Sequence, residues 1–166
     1  RGALVMSAAA LRWPPAALLA VCGFCAGDAR RQKLARRRRT LEQTIALLTR
    51  LRQEIAYRRT DLGQLYRTLA AEYSPGDSLG RAMKKAECFA GMQPPADLSL
   101  EEAACFAVCF GQLGRTDAGR ACAQLDYYLR RFGVFLEKAR EEERLSASMD
   151  RRLGLAAGAI LGLLVL

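Results

Sequence analysis

The chain has 166 residues, a formal net charge of +9 and no histidine. This length fits one domain with or without flanking membrane segments, and an apolar content of 51% excludes bulk disorder. Because histidine is absent, the sequence excludes catalytic triads, zinc sites and pH switches that depend on histidine.

The positive charge lies beside the two apolar ends of the chain. Residues 1–40 carry nine basic side chains and one acidic side chain, residues 41–149 carry fifteen of each, and residues 150–166 carry two and one. A nucleic-acid-binding domain would spread its positive charge over its own folded surface. The distribution therefore favours a charge-balanced central domain between two basic membrane junctions.

Both ends are predicted to be transmembrane helices, over residues 11–29 and 153–166. The first carries no charge between Trp13 and Asp28, and the second carries none at all. Each is slightly shorter than the about 20 residues of a typical spanning helix, so its flanking residues must help. The residues predicted at the membrane juncture are Trp13, Arg30, Arg31, Arg36, Arg37, Arg151 and Arg152.

Basic residues on the inner side of both segments predict that residues 30–152 lie in the cytoplasm. A signal peptide would carry its charges before the apolar stretch, and Val21 is a poor fit before a lipoprotein cysteine at Cys22. A buried helix of a globular core stays open for the first segment. Residues 1–10 are assigned no role, with an upstream extension and a fragment boundary both open.

Residues 30–152 are predicted to form an all-α bundle. A long helix covers 30–59, and Asp61 is the expected N-cap of a shorter helix that ends at Ser74–Gly76. A third helix is expected over Ser78–Gly91. The apolar seam of the first helix follows helical spacing and consists of Leu34, Leu41, Thr44, Leu48, Leu51 and Ile55.

The second half of the bundle begins after a connection over Met92–Leu98. Ser99 and Glu102 have the spacing of a capping box, and the nearly all-apolar helix that follows is predicted to be the most buried element. The last helix runs from about Ala118 to Asp150, with a continuation into the membrane left open. After Glu137 its charge pattern is typical of a solvated stalk.

The cysteine pairs allow a metal or redox site, although packing is the favoured interpretation. Cys22 and Cys25 lie in an apolar end segment, and Cys105 and Cys109 lie one helical turn apart in the most hydrophobic helix. Cysteine behaves as a small buried hydrophobe in such places. The sequence also lacks phosphate-binding and dinucleotide-binding motifs. We therefore expect no cofactor, no metal and no enzymatic activity.

The stretch Gly111–Asp117 predicts a corner at which one helix ends and the next begins. Exposed corners of this kind are also common binding sites. The candidate partner interface therefore consists of Leu113, Gly114, Arg115 and Asp117, with Glu54 from the first long helix.

The four consecutive arginines at 36–39 could bind phosphates of nucleic acid, with steep salt dependence. Attraction to anionic lipid is the alternative, because the run lies beside a predicted membrane segment. No aromatic residues alternate with the arginines to stack on bases. The lipid interpretation is therefore preferred.

In the order and spacing of its motifs the sequence resembles the stage III sporulation protein AB family. The resemblance covers nearly the whole chain after residue 10. It rests on the apolar ends, the basic juncture and the glutamate-rich last helix, together with Leu51–Tyr57, Thr60, Leu62 and Phe110–Asp117.

This resemblance implies a two-pass protein of the mother-cell membrane around the forespore, part of a channel apparatus. Its central domain would be similar to the helical cytoplasmic domain of type II secretion platform proteins. The implied partners are a secretion-type ATPase of the same operon (stage III sporulation protein AA), other channel subunits, membrane lipid and further copies of the chain.

Overall fold

The structure is a computed structural model. It describes the backbone of residues 13–57, 61–115 and 117–165, and within these ranges it describes the side chains from Asp28 to Ala147. The described residues form helices joined by turns and irregular segments and contain no strand, so the all-α prediction is confirmed for this part of the chain. One 3₁₀ turn, Phe89–Gly91, accompanies the α-helices. The α-helices are α1 (Trp13–Tyr57), α2 (Leu62–Glu72), α3 (Ser78–Lys85), α4 (Leu100–Gly111) and α5 (Ala118–Val165).

The described residues divide into two compact units. Leu34–Glu143 form one unit, and residues up to 33 and from 144 onward form the other. Both predicted membrane segments fall in the second unit. Residues 13–29 and 153–165 of these segments have a helical backbone, and the side chains of Trp13, Arg151 and Arg152 lie outside the described residues. Residues 1–10 also lie outside them.

Among the described residues, no helix contains a stretch that is both long enough and apolar enough to cross a membrane. The assignment of residues 11–29 and 153–166 to the membrane therefore stays a prediction.

Apolar stripes on α1 and α5 supply much of the core of Leu34–Glu143. In the predicted seam of α1, four residues are buried, and Leu34 and Ile55 are half-buried. The buried Thr44 hydroxyl donates to the Thr40 carbonyl at 2.8 Å, so this polar group is satisfied inside the core. The buried stripe of α5 consists of Ala121, Leu125, Tyr128, Phe132, Phe135, Leu136 and Ala139.

The helix predicted over Ser78–Gly91 is wrong beyond Lys85. Ala86 is extended, and the chain then forms the short 3₁₀ turn that brings Phe89 into the core. The buried Tyr66 hydroxyl of α2 donates to the Met83 carbonyl at 2.5 Å, and its ring meets the Phe89 ring edge-on at 4.8 Å. Tertiary packing by Tyr66 therefore ends α3 early.

The prediction that α4 is the most buried helix is wrong for one of its two faces. Cys105 and Cys109 lie on the buried side, where Phe106 and Phe110 pack with ring centroids 4.3 Å apart. The opposite side is exposed although it is also apolar, because α4 packs against the core through one face only. The exposed apolar residues of α4 are Leu100, Ala104, Ala107 and Val108.

Candidate functional site

Glu102 and Arg37 form a buried ion pair between α4 and α1. The Glu102 side chain is 1% exposed and that of Arg37 is 17% exposed. Arg37 Nη2 donates to Glu102 Oε1 at 2.7 Å, and Arg37 Nε lies 3.1 Å from both carboxylate oxygens. Arg37 of α1 thus binds to α4 through Glu102, which lies 65 residues later in the sequence.

The same carboxylate also completes the capping box of α4. Glu102 Oε2 accepts the backbone N–H of Ser99 at 2.8 Å, while the Ser99 hydroxyl accepts the backbone N–H of Glu102 at 3.4 Å. The predicted capping box is confirmed. The Glu102 carboxylate therefore caps the start of α4 and pairs with the half-buried Arg37 guanidinium at once.

These partners determine the ionisation of Glu102. Burial alone would raise its pKa, but the hydrogen bonds from Arg37 and from the Ser99 backbone outweigh burial and hold the pKa below its ordinary value. The hydrogen bond to Glu102 in turn raises the pKa of Arg37. Both groups are therefore charged across the physiological pH range.

Further ion pairs extend from Arg37 and Arg38 towards the acidic run of α5. Arg37 Nη1 lies 2.5 Å from Glu142, and Arg38 Nε lies 2.7 Å from Glu143. Glu142 and Glu143, in the charged stretch after Glu137 that the sequence predicts to be solvated, thus pair with the arginine run of α1, while the Glu142 side chain stays 51% exposed.

The arginine run is not a uniform basic surface. Arg39 pairs with Asp77 at 3.2 Å, so three of the four consecutive arginines have acidic partners within the domain. Arg36 and Arg30 are exposed, and Arg31 is exposed with an interaction of its own. The predicted roles of Arg36 and Arg37 at a membrane stay predictions, and sequence reasoning missed the acidic partners of Arg37.

The corner after α4 is built on a glycine in the left-handed region. Gly114 has a φ of +86°, and a Cβ added there would lie 3.4 Å from a Leu62 methyl group at the start of α2. Leu113 is half-buried against the core. The corner is thus anchored to the core by the apolar side chain of Leu113.

The charged side chains of this corner are exposed. The Arg115 backbone N–H donates to the Gln112 carbonyl at 3.3 Å, which holds Arg115 at the C-terminal end of α4. The Asp117 carbonyl accepts the N–H of Ala121 at 2.9 Å, so Asp117 immediately precedes α5, as predicted. Gln124 of α5 donates to Gln112 and closes the corner.

Glu54 lies in the last turn of α1 rather than at this corner. Its side chain is half-buried and takes part in an interaction of its own. Its negative charge contributes to the raised pKa of Arg50, after the larger influence of Glu72. Its predicted role in partner binding stays a prediction.

Cys105 and Cys109 pack in the core. Burial raises the pKa of the Cys105 thiol and raises that of Cys109 to about 12, so neither forms a thiolate at neutral pH. Cys22 and Cys25 have side chains outside the described residues. Among the described residues, no three metal-ligating side chains cluster together.

A family model described as stage III sporulation protein AB matches the chain over residues 12–87 and 71–166. Together the two matches cover residues 12–166, which include the arginine run, the capping box and the corner. No curated protein and no solved structure matches the chain.

Proposed function

The chain belongs to the stage III sporulation protein AB family, and from this premise we propose that it is a non-enzymatic platform subunit of a sporulation channel complex. In this proposal it lies in the mother-cell membrane around the forespore and engages a cytoplasmic secretion-type ATPase, the stage III sporulation protein AA of the same operon. The observation that carries the proposal is a family match extending over nearly the whole chain.

The charge arrangement supports a structural role. The best-defined polar cluster, around Arg37 and Glu102, joins α1, α4 and α5 by ion pairs. Ion pairs between helices fix the positions of those helices, whereas a catalytic acid or base needs an accessible group with a tuned pKa. The bundle is therefore suited to hold a fixed shape against a partner.

The same cluster makes nucleic acid the weaker alternative for the basic part of α1. Binding to phosphates would require Arg37 and Arg38 to exchange Glu102, Glu142 and Glu143 for the ligand. The exposed Arg30, Arg31 and Lys33 directly follow the predicted membrane segment, where anionic lipid would supply the phosphates. The proposal therefore assigns the basic residues to helix pairing and the membrane junction.

The proposed topology can be tested with the exposed Cys88 thiol as the reporter. Because Cys105 and Cys109 are buried, a membrane-impermeant maleimide should react with Cys88 in preference to them. We expect Cys88 to be labelled in inverted membrane vesicles and protected in sealed right-side-out vesicles.

A Cys88→Ser variant identifies the part of the label that Cys88 contributes, since other thiols of the chain could also react. If Cys88 were labelled as strongly in right-side-out vesicles as in inverted vesicles, the result would contradict a cytoplasmic location of the domain. Recovery of the unmodified chain from the membrane-free fraction would contradict the membrane assignment itself.

The proposed ATPase contact can be tested at the corner. Alanine at Arg115 or Asp117 removes an exposed charged group, so helical content should stay unchanged. We expect about tenfold weaker co-purification of the ATPase, the size of effect that one binding hot spot produces.

Arg67→Ala is the matched control, because Arg67 is an exposed arginine of α2 that is not part of the predicted corner. Arg67→Ala should retain the ATPase as the parent chain does. Undiminished co-purification with both corner variants would remove the corner from the interface.

A further inference from the structure

The apolar core of the bundle ends before the contacts between α1 and α5 end. Along α1 the buried apolar residues begin at Leu41, and among the described residues before it Thr40 alone is buried. Along α5 the buried apolar residues end at Ala139, and among the described residues after it Ser146 alone is buried. Over residues 140–143 of α5, ion pairs to α1 thus take the place of apolar packing.

Three ion pairs join α1 to α5 in this region. Each pair includes a side chain that is at least 36% exposed, and exposed pairs contribute little stability and are screened by salt. The distances between the paired nitrogen and oxygen atoms are 2.5 Å for Arg37–Glu142, 2.7 Å for Arg38–Glu143 and 3.3 Å for Arg140–Glu42.

Each arginine of these pairs also contacts a second carboxylate, which separation of α5 from α1 would leave in place. The second carboxylate lies either on α4 or on the same helix as the arginine. The second contacts are Arg37 with Glu102 of α4, Arg38 with Glu42 of α1, and Arg140 with Glu137 of α5. Separation of the two helices would therefore leave each of the three arginines with a carboxylate partner.

We propose that the pairs Arg37–Glu142, Arg38–Glu143 and Arg140–Glu42 form an electrostatic latch, which opens while the core stays packed. In the open state, residues 140–143 of α5 move away from α1 and the three arginines keep their second carboxylates. Arg37 stays on Glu102, which is 1% exposed, so α1 keeps its position on α4 and α5 is the helix that moves.

The latch would allow the spacing of α1 and α5 to change at one end of the Leu34–Glu143 unit. Such local opening needs few buried apolar contacts and several solvent-exposed polar ones, and residues 140–143 have this composition. The inference goes beyond the proposed function and does not depend on it, because the latch lies within the described residues of one unit.

A further ion pair between the same two helices provides an internal control. Arg52 Nε lies 2.6 Å from Asp126, and the two side chains are 44% and 37% exposed, which is close to the exposure of the latch pairs. However, their sequence neighbours Leu51 and Leu125 belong to the buried core. Apolar packing therefore holds α1 and α5 together at this pair, whether or not the charges meet.

Carbodiimide cross-linking of the purified full chain in detergent tests the latch with Arg38→Lys. The substitution keeps the charge and supplies an amine, which the reagent joins directly to a carboxylate in contact. Peptide mass spectrometry then separates the cross-link to Glu143 of α5 from the cross-link to Glu42 of α1. We expect the ratio of Glu143 to Glu42 products to fall at least about threefold between about 0.1 M and about 1 M salt, because the screening length shortens from about 10 Å to about 3 Å.

Arg52→Lys is the matched control for the effect of salt on the reaction. Its cross-link to Asp126 should stay within about twofold over the same salt range, because the core keeps α1 and α5 in contact there. A ratio of Glu143 to Glu42 products that salt leaves unchanged overturns the proposal. An equal loss of the two cross-links between α1 and α5 also overturns it.

Glu142→Gln provides a second test, because it removes one latch pair and leaves Arg37 on Glu102. Added to Arg38→Lys, it should lower the ratio of Glu143 to Glu42 products already at about 0.1 M salt, because the latch pairs support one another. The midpoint of urea unfolding should stay that of Arg38→Lys alone. A lower midpoint together with a lower ratio would mean that α5 separates only when the core unfolds, and the proposal fails. Both measurements contain only this chain, so their outcome is independent of the proposed ATPase contact.

Discussion

Replacing Glu102 with glutamine is expected to lower the free energy of unfolding by about 3 kcal/mol. The substitution keeps the shape of the buried Glu102 side chain but removes the charge that faces Arg37. It also weakens the hydrogen bond to the Ser99 backbone. Urea unfolding of the purified chain, followed by far-UV circular dichroism, measures the change.

The exposed pair between Arg50 of α1 and Glu72 of α2 supplies the matched control. It has the same chemistry and also uses two guanidinium nitrogens, but its side chains are 48% and 45% exposed. Glu72→Gln should therefore cost less than about 1 kcal/mol. Equal losses from Glu102→Gln and Glu72→Gln would show that burial does not determine the contribution of the Arg37 pair.

A double replacement separates the net contribution of the pair from the cost of breaking it. Arg37→Met with Glu102→Met removes both charges, and much of the stability lost in the single variants should return. The stability that does not return measures the contribution of the capping box and of the ion pair between Arg37 and Glu142.

The stability of the parent chain should also fall in acid more steeply than that of Glu102→Gln. The pKa of Glu102 in the folded state lies below its ordinary value, so the unfolded chain binds the proton more readily. The stabilisation is therefore complete above about pH 5 and is lost as the pH falls through the folded-state pKa. Parallel pH profiles for the two chains would contradict this.

Local patterns in the sequence predict much of this fold. The Asp61 side chain accepts the N–H of Gln64 at 3.2 Å, as expected of a helix N-cap. The capping box at Ser99, the corner that ends α4 and the apolar seam of α1 are predicted as well. These features depend on neighbours within about one helical turn, which a sequence displays directly.

The features that the sequence did not reveal depend on distant residues. Glu102 was assigned to a helix cap, and its main partner Arg37 lies 65 residues earlier. The early end of α3 depends on the Tyr66 hydroxyl of another helix. The exposure of Leu100 follows from the position of α4 at the side of the core, since composition alone predicts burial for both faces.

For the candidate interface, the sequence predicted the corner but not its surroundings. Gly114 and Asp117 indicate a turn through their own backbone preferences. The packing of Leu62 against Gly114 could not be predicted, because it depends on how α2 docks. The membrane segments stay predictions from charge and hydropathy, and labelling of Cys88 is the measurement that decides their orientation.

The second large effect is expected at Gly80, where α3 passes close to the turn that follows α2. A Cβ on Gly80 would overlap the Ser74 carbonyl oxygen and lie 2.9 Å from the carbonyl carbon. Both atoms are backbone, and the same carbonyl accepts the N–H of Asp77 at 3.2 Å just before α3. The turn therefore cannot yield without losing that hydrogen bond.

Gly80→Ala should consequently lower the free energy of unfolding by about 2–3 kcal/mol, although alanine favours a helix by about 1 kcal/mol over glycine. Gly133→Ala is the matched control, because Gly133 lies inside α5 and an added Cβ would meet no atom within 4 Å. That variant should gain up to about 1 kcal/mol, so the two substitutions should shift urea unfolding in opposite directions. A stabilising effect of both alanines would mean that α3 does not approach Ser74 this closely.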